Sequence, residues 1–469
     1  MSIEMVMAMK TLQNHQETEQ DAPVEAPVEV HGDHWMDVAR RAVAELFGEP
    51  GERTFDVKYW NGFVEHGASR EDDLSLVLNR PGSLRRMFLP ASELALGEAY
   101  VRGDFDIIGD VGQATALRDV LGTRLRSPRR IARLVNLLRQ LPVDDQSSTD
   151  GTKAQLGGRR HILERDASAI QFHYDVSNDF YGLWLDEQRV YSCGYFTSDH
   201  QDLDRAQQDK LELICRKLRL RPGERFLDIG CGWGALVRHA VRYHGVKALG
   251  ITLSPSQAEY ARERIAREGL SASCLIEVRD YRDLAGEEPF DKIASVGMIE
   301  HVGLQQLPTY FGTLFELMQP GGLFLNHGIV TLGGARHRAI PDRFLAWIWR
   351  SGSFIDRYVF PDSELVPLAE VTRSSESAGW EVRDVESLRE HYARTLRLWV
   401  RRLEANAEAA IEMVGNETYR IWRLNMGAAA DAFSGGRIGL VQALLARADG
   451  AGAVSIPWTR ADIYAQADE

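Results

Sequence analysis

The sequence predicts an α/β protein, with a doubly wound parallel sheet preceded by a smaller α+β domain. In residues 166–469, short β-branched runs such as RFLDIG and KALGITLS alternate with long amphipathic stretches such as SQAEYARERIAREG. This alternation is typical of a parallel sheet with helices on both faces, which binds ligands at the carboxyl ends of its strands. Because 469 residues exceed one ordinary core, a second domain is expected.

The first 142 residues predict a tail followed by the smaller domain. Residues 1–28 are acidic and polar, contain the near-repeat APVEAPVEV and are expected to stay mobile. Apolar residues at helical spacing predict a helix from Met36 to Leu46. Four strand-like runs follow, FDVKYWNGFVEHG, DLSLVLNRP, SLRRMFL and ALGEAYVRGDFDI, so residues 29–142 are predicted to form an α+β domain.

This domain is predicted to end in a basic amphipathic helix. The stretch from Arg124 to Leu141 contains six arginines and no acidic residue, and its apolar residues fall opposite Arg129, Arg130 and Arg133. Such a helix suits either docking on an anionic membrane or an interdomain role with a solvated face. Residues 143–165, largely Ser, Thr, Asp and Gly in their first part, are predicted to be a linker.

Composition narrows the classes of partner. The net charge of -13 argues against nucleic acid, because phosphate neutralisation needs a basic surface. The four cysteines show no metal-binding spacing, so no metal is predicted and a reducing cytosol fits best. The N-terminus lacks the basic start and apolar region of a signal peptide, and no segment approaches about 18 uninterrupted apolar residues. Any membrane contact is therefore predicted to be peripheral.

A glycine-rich loop marks the predicted cofactor site. The run from Phe226 to Gly234, FLDIGCGWG, is a strand that leads into three alternate glycines and then into a helix. A dinucleotide site would need G-x-G-x-x-G and an acidic residue about 20 positions further on. The next strand ends instead in Thr252-Leu253-Ser254. Asp228 is placed to anchor a cationic amino-acid moiety, as S-adenosylmethionine sites require; a purely structural loop is the alternative.

Several segments, in their order along the chain, resemble the cyclopropane fatty acid synthase family, which includes the mycolic acid cyclopropane synthases. They cover nearly all of residues 170–445, with a weaker likeness in GEAYVRGDFD of the first domain. The resemblance implies a Rossmann-like class I methyltransferase sheet with a helical lid, a first domain that engages lipid, and a homodimer at the cytoplasmic face of the membrane. The segments are HYDVSNDFYGLWLD, YSCGYF, LDIGCGWG, GITLSPSQ, DYRDL, SVGMIEHVG, LNHGI and HYARTLRLW.

The resemblance also implies site residues and a reaction. A methylene carbon would pass from S-adenosylmethionine to the double bond of an unsaturated phospholipid acyl chain, giving a cyclopropane, with bicarbonate as the base. The bicarbonate ion would be held by Cys193, Glu300, His327, Ile329 and Tyr392. S-adenosylmethionine would be held, beside Asp228, by Tyr191, Ser192, Gly230, Gly232, Gly234, Thr252, Leu253, Gln257, Tyr281 and Arg282.

The residues themselves are compatible with that chemistry. Glu300, His301 and His327 all follow predicted strand ends, so they project from one edge of the sheet near the glycine loop. An alkene is a poor nucleophile, so a strong sulfonium electrophile must be held close to the reacting carbons. The carbocation that forms must be kept from water and must lose a proton to a small base.

Each catalytic candidate also has a structural interpretation. Cys193 can be a small buried hydrophobe, His327 a core histidine, Glu300 a helix cap and Tyr392 a packing residue. The aromatic-rich segment from Phe344 to Leu365 can line an acyl-chain tunnel or belong to an ordinary core.

Two departures from the family leave the product open. Ile299 stands where family members often carry Phe, and Gly194 stands where they often carry Ala. Both can reshape the pocket beside the carbocation, and loss of a different proton would give a methylene- or methyl-branched chain. Two further hypotheses are a small-molecule methyltransferase that needs no anion site and a catalytically silent lipid-binding protein, which the intact glycine loop disfavours.

Overall fold

The computed structural model describes most of the chain. Three predicted segments lie wholly or largely outside the described residues: the tail 1–28, the linker 143–165 and the first half of the aromatic-rich segment, 344–353. So does the start of the HYDVSNDFYGLWLD motif. The described ranges are 29–68, 74–113, 120–121, 124–125, 127–143, 177–332, 354–360, 363–454 and 456–464.

A small mixed sheet with flanking helices forms the first domain. Its strands are β1 (Asp56–Lys58), β2 (Val64–Glu65), β3 (Ser75–Leu78) and β4 (Phe105–Ile108), and its helices are α1 (Glu29–Phe47), α2 (Ser83–Phe88), α3 (Glu93–Val101) and α4 (Pro128–Gln140). The strand order is β2-β1-β3-β4, and only β1 and β3 pair in parallel. The predicted helix from Met36 to Leu46 is therefore part of the longer α1.

Two of the four strand-like runs form helices, so that part of the sequence interpretation was wrong. The run SLRRMFL forms α2, and the ALGEAYV part of the last run belongs to α3, whereas its FDI end lies in β4 as predicted. The buried residues of α2 follow a helical spacing, and the hydroxyl of Ser92 caps α3 by accepting a hydrogen bond from the backbone N–H of Ala95 at 3.0 Å. This cap and the helix-forming Leu, Ala and Glu outweigh the apolar content that suggested strands.

The predicted basic helix is present as α4. It buries three leucines in the first-domain core, where it packs against α1. The guanidinium groups of Arg130 and Arg133 each lie 3.1 Å from a carboxylate oxygen of Glu45 on α1, whereas Arg129 is exposed. Two of the three arginines therefore contribute to packing between helices rather than only to a solvated face.

The second sheet has eight strands, which are β5 (Arg225–Ile229), β6 (Lys247–Thr252), β7 (Cys274–Val278), β8 (Phe290–Val296), β9 (Met318–Thr331), β10 (Val366–Pro367), β11 (Glu381–Ser387) and β12 (Ile438–Ala446). Their order is β11-β12-β9-β8-β5-β6-β7, with β10 paired to β9. Strands β5 to β9 pair in parallel, and β12 and β11 add two antiparallel strands. Because the connections diverge on either side of β5, a crevice forms at the carboxyl ends of β5 and β8.

Helices cover both faces of this sheet, and a separate apolar core lies on each face, as expected for a three-layer α/β domain. In the described part of the chain, no helix is long and apolar enough to cross a bilayer. The helices are α5 (Asn178–Gly182), α6 (Leu203–Leu218), α7 (Ala235–His244), α8 (Pro255–Arg267), α9 (Ile299–Val302), α10 (Leu307–Leu317), α11 (Phe354–Tyr358), α12 (Leu368–Ser377), α13 (Arg389–Ala405), α14 (Ala407–Ser434) and α15 (Ala461–Tyr464).

Helix α14 holds the two domains together through two buried arginines. Arg420 donates to the backbone carbonyls of Tyr100 and Phe105, each at 2.8 Å, and Arg423 donates to the Tyr100 hydroxyl at 2.7 Å. Buried guanidinium groups need such complete pairing. The GEAYVRGDFD motif of the first domain is therefore a docking surface for the second.

The described end of the aromatic-rich segment packs at the same junction. Phe354 of α11 lies so close to Gly97 of α3 that a Cβ at this glycine would collide with its ring. The Tyr358 hydroxyl donates to a carboxylate oxygen of Glu98 at 2.8 Å. This short helix lies in one apolar cluster with Val101 of α3 and Ile421 of α14, and its role in an acyl-chain tunnel stays a prediction.

Candidate active site

The glycine loop after β5 forms the floor of the cleft at the sheet edge. Gly230, Gly232 and Gly234 all have positive φ, at 77°, 53° and 78°, which L residues rarely adopt. A Cβ at Gly230 would lie 2.8 Å from the side chain of Met298, so this position also needs the missing side chain. The backbone N–H groups of Gly230 and Cys231 donate to the carbonyl of Ile251 at 3.0 and 2.9 Å, so the loop is fixed against β6 while its residues line the cleft at the start of α7.

Most of the predicted cofactor-binding residues line this one cleft. Gly234 does not line it and instead faces Ala261 of α8, and Arg282 is turned aside, donating to both carboxylate oxygens of Asp280 at 2.8 Å. The neighbouring Arg279 and Asp280 line the cleft in its place. The predicted residues that do line it are Tyr191, Ser192, Asp228, Gly230, Gly232, Thr252, Leu253, Gln257 and Tyr281.

Asp228 lies at the bottom of the cleft with one carboxylate oxygen unsatisfied. It is 2% exposed, and no described residue forms a hydrogen bond with its Oδ1. Burial raises the pKa of this carboxyl to about 7, and the nearby Lys210 ammonium opposes the increase. A buried carboxylate that is not paired is costly, so the site favours a cationic ligand group.

Lys210 of α6 forms the opposite wall of the cleft. Its ammonium donates to the Ser192 hydroxyl at 2.8 Å, and burial lowers its pKa to about 8. Across the cleft, the Thr252 hydroxyl donates to the side-chain oxygen of Gln257 at 2.9 Å. These contacts hold the polar lining of the cleft in fixed orientations.

Glu300 and Ile329 form the first part of the predicted anion site. The backbone N–H of Ile329 donates to Oε1 of Glu300 at 2.7 Å. The other carboxylate oxygen, Oε2, is buried and has no hydrogen-bond partner among the described residues. Burial raises the pKa of the Glu300 carboxyl to about 7, although the Ile329 hydrogen bond favours the charged form. This geometry does not fit a helix cap.

His327 shows the same pattern of one satisfied and one unsatisfied polar atom. It is 1% exposed, and its Nδ1 lies 3.1 Å from the side-chain nitrogen of Gln442. Its Nε2 is buried without a partner in the described part of the chain. Burial lowers the pKa of this imidazole well below its usual range, and two nearby lysines lower it further. The ring is therefore neutral, and it is not the fully satisfied core histidine of the structural interpretation.

Cys193 and Tyr392 meet at the backbone carbonyl of Leu388. The thiol of Cys193 is fully buried and contacts the carbonyl oxygens of Gly194 at 3.1 Å and Leu388 at 3.8 Å. Burial raises the pKa of this thiol, so it is neither ionised nor a nucleophile. The backbone N–H of Tyr392 donates to Leu388 at 3.0 Å, and its ring lies 4.8 Å from that of Phe433.

The register of the strands links the contact between Glu300 and Ile329 to the contacts that Cys193 and Tyr392 make with Leu388. Leu440 of β12 is paired with Ile329 of β9, and its carbonyl accepts a hydrogen bond from the backbone of Leu388. The backbone of the same three-residue stretch of β9 carries both His327 and Ile329. The contacts of the five predicted residues therefore lead to adjoining parts of β9, β12 and the start of α13, with Glu300 supplied by α9 and Cys193 by the segment before α6.

An apolar cavity lies between the two domains. It has a volume of about 480 Å³, and its walls come from β3, α2, α3 and β4 of the first domain and from α11, α14 and β12 of the second. Almost all of the lining is aliphatic or aromatic. Among the lining residues, Phe354 and Ile355 belong to the aromatic-rich segment, and Ile438 begins the strand that pairs with β9.

Sequence reasoning missed three polar residues close to the site. Lys210 and Lys217 lie seven residues apart on the apolar face of α6, among buried leucines, and Gln442 lies in the apolar strand run LVQALLA. Each is 1–2% exposed. A polar residue in an otherwise apolar stripe was the available signal, because such residues are rarely buried unless paired.

The structure also brings together Cys215, His239 and His244, whose ligand atoms lie within 4.8 Å of one another. Their separation in sequence gave no such spacing. Nε2 of each histidine lies 3.0 Å from the same carboxylate oxygen of Glu212. The carboxylate accounts for the position of both imidazoles, so this group does not require a metal ion.

The sheet order and the glycine-loop cleft define a class I methyltransferase that uses S-adenosylmethionine. Comparison with known proteins supports this class. The solved cyclopropane synthase MmaA2 from Mycobacterium tuberculosis covers 60% of the chain and is itself covered to 98%, at 31% identity and a TM-score of 0.55. The mycolic acid cyclopropane synthase CmaA1 complexed with SAH and CTAB matches the same shares at 33% identity and a TM-score of 0.56.

The chain belongs to the mycolic acid cyclopropane synthetase family, whose model matches residues 161–443. A second model, described as a domain of unknown function, matches residues 42–118. A probable fatty acid methyltransferase from Pseudomonas putida is 40% identical over 87% of the chain and 95% of its own length. Another from Mycobacterium tuberculosis is 36% identical over 88% of the chain and 96% of its own length. The predicted family, fold class and S-adenosylmethionine-dependent activity are confirmed.

Proposed function

We propose that this enzyme adds a methylene carbon to the double bond of an unsaturated phospholipid acyl chain, with bicarbonate as the base. The observation that carries the proposal is a pair of unsatisfied buried atoms, Oε2 of Glu300 and Nε2 of His327, beside the cofactor cleft. One is an acceptor when ionised and the other a donor, and together they suit a small oxyanion that carries one proton. A methyltransferase acting on nitrogen or oxygen would not need such a site.

Bound S-adenosylmethionine supplies a sulfonium methyl group, and bound bicarbonate supplies a small oxygen base. The alkene π pair forms the new C–C bond as the S–CH3 bond breaks, and the carbocation then loses a proton from the new methyl group as the ring closes. Asp228 holds the cationic amino-acid moiety, and Glu300 and His327 orient the base. The buried Cys193 and the half-buried Tyr392 would help to exclude water from the carbocation.

The interdomain cavity supports an acyl-chain substrate. Its lining is mostly apolar, and a hydrocarbon chain placed in it would gain about 0.8 kcal/mol per buried CH2. The cavity adjoins the proposed site, because Ile438 in its wall pairs with Thr331, two residues beyond Ile329. Part of the lipid chain would therefore lie between the domains, and the first domain would help to bind the lipid.

Filling the cavity is expected to impair turnover of long acyl chains. In Ala429→Phe, a larger side chain enters the cavity, so KM for oleoyl phospholipid should rise about tenfold or more while the Kd for S-adenosylmethionine is unchanged. Ile411→Phe, at an exposed position of the same helix, is the control. Steady-state kinetics on oleoyl vesicles measure both variants; an unchanged KM in Ala429→Phe would place the chain elsewhere.

The central experiment incubates pure protein with labelled S-adenosylmethionine and oleoyl phospholipid vesicles, with and without added bicarbonate. We expect label in the lipid, an ester mass increased by one CH2, and a rate that depends on bicarbonate. A small-molecule methyltransferase would leave the lipid unlabelled. Gas chromatography with mass spectrometry of the esters identifies the product.

A second candidate product is a methylene- or methyl-branched chain. It is favoured by the relatives named as fatty acid methyltransferases and by Ile299 in place of the usual Phe. Ile299 is 1% exposed and packs against Gly328, directly after His327. Its smaller side chain gives the carbocation a different environment from a phenyl ring, and the ester analysis separates ring from branch.

Membrane docking through α4, the homodimer and the cytoplasmic location stay predictions. Because Arg130 and Arg133 share one carboxylate, part of the charge of α4 is already neutralised. Arg129, Arg133 and Arg139 all stay exposed, so peripheral contact with an anionic membrane would depend on these side chains and on groups beyond this helix.

A further inference from the structure

A row of hydrogen-bonded polar side chains leads from the exposed Tyr464 through the half-buried Glu386 to the buried His327. The Tyr464 hydroxyl donates to Glu386 at 3.0 Å, and Glu386 also accepts from the ammonium of Lys217. Lys217 donates to Oε1 of Gln442 at 2.7 Å, and Nε2 of Gln442 lies 3.1 Å from Nδ1 of His327. The described contacts therefore form one uninterrupted chain.

Sheet register produces this row. Glu386 of β11 is paired with Gln442 of β12, which is in turn paired with His327 of β9. Residues paired across neighbouring strands lie on the same face of a sheet, so the three side chains form a line. Helix α6 packs over that face and inserts Lys217 between Glu386 and Gln442.

The row has a fixed direction. An ammonium group can only donate, so the oxygen of the Gln442 amide must face Lys217 and its NH2 group must face the histidine. The histidine nitrogen that accepts from this NH2 cannot carry a proton. Because burial and the two lysines keep the pKa of His327 low, the ring is neutral and its single proton lies on Nε2.

We propose that Gln442, oriented by Lys217, is a positioning residue that fixes His327 as its Nε2–H tautomer, and that turnover requires this tautomer. This inference rests on the proposed function, because the Nε2–H of His327 would then donate to the oxyanion held between His327 and Glu300. A histidine held in this form cannot accept the substrate proton through Nε2. The base must then be another group, which matches a separate small oxyanion.

Stability alone does not account for these residues. Gln442 and Lys217 are each 1% exposed, and neighbouring positions on β12 are Val, Ala and Leu. Burying an amide and an ammonium group costs free energy even when they are paired, and an apolar side chain of similar size is often equal or better. The need to orient the imidazole of His327 explains why these buried side chains are polar, whereas packing alone does not.

The tautomer can be read directly by NMR on the full-length protein with 15N-labelled histidine, with His327→Gln used to assign the signal. We expect the proton on Nε2 in the unmodified protein. In Gln442→Glu, the carboxylate accepts from Lys217 and from the ring, so the proton should move to Nδ1. Turnover should then fall on the order of 10²-fold, because the site loses a hydrogen-bond donor, while the Kd for S-adenosylmethionine is unchanged.

Two further variants guard against loss of folding. Asn326→Asp makes the same amide-to-acid change at a residue 1% exposed on the opposite face of β9, and it should keep the tautomer and most of the turnover. Gln442→Met removes the directing NH2 without adding charge, and it should give mixed tautomers and an intermediate loss.

A proton on Nδ1 in the unmodified protein would overturn the inference, and so would full turnover in a Gln442→Glu variant whose tautomer has switched. If the tautomer behaves as inferred but turnover ignores bicarbonate, the anion-assisted mechanism fails while the positioning role of Gln442 stands.

Discussion

Replacing Glu300 with Gln is expected to lower kcat by a factor on the order of 10² to 10⁴, with almost no change in the affinity for S-adenosylmethionine. The backbone N–H of Ile329 donates to Oε1 of Glu300, and in the variant it would keep the amide oxygen on that side. The amide NH2 would then face the anion site, where the wild-type enzyme presents an acceptor. The variant has the right size and the wrong polarity.

The pH dependence gives this prediction a second readout. Burial raises the pKa of Glu300 to about 7, so the group is largely protonated below that pH and largely ionised above it. If the ionised form orients the base, wild-type kcat falls as the pH decreases through about 7. In Glu300→Gln no such step should remain, because the amide does not titrate in this range.

Quenched labelling assays between about pH 6 and about 8.5 measure kcat and its pH dependence, and calorimetry measures the affinity for S-adenosylmethionine. Glu316→Gln, at an exposed position on α10, is the matched control. Wild-type rates and an unchanged pH profile in Glu300→Gln would remove the carboxylate from the mechanism.

Local patterns in the sequence predicted the parallel sheet and the cofactor loop, whereas the five anion-site candidates were implied by the resemblance to the family. The runs RFLDIG and KALGITLS located β5 and β6 at nearly their observed ends, whereas His327, expected at a strand end, lies inside β9. The same approach predicted strands where α2 and α3 lie, because capping and helix propensity decide whether a short apolar run forms a helix or a strand. It also missed the antiparallel β11 and β12, since nothing local specifies which strand a run will pair with.

Long-range register explains the missed site residues as well. Gln442 is separated from His327 by 115 positions and Lys217 from Gln442 by 225, so their contact depends on the order of strands β11, β12 and β9. A polar residue inside an apolar strand can indicate that a partner is required. Only the fold identifies that partner and the direction of the hydrogen bonds.

Replacing Asp228 with Asn is expected to weaken S-adenosylmethionine binding roughly 10- to 100-fold, the usual effect of losing a buried hydrogen bond to a charged group. Asn keeps the size of the side chain and leaves no negative charge for the ligand's ammonium group. Asp291→Asn, at the opposite edge of the neighbouring strand β8, is the control. Calorimetric titration of both variants measures the difference.

The raised pKa of Asp228, about 7, sets the sign of the pH effect. A cation binds to the ionised carboxylate, so wild-type affinity should fall up to tenfold per pH unit below about 7 and reach a plateau above it. In Asp228→Asn that slope should vanish.

S-adenosylhomocysteine, which keeps the ammonium group but lacks the sulfonium charge, shows which cation Asp228 holds. An equal loss of affinity for both ligands indicates the ammonium, and a loss confined to S-adenosylmethionine indicates the sulfonium. Unchanged affinity for both would mean that Asp228 only shapes the loop, and that other residues of the cleft hold the cofactor without it.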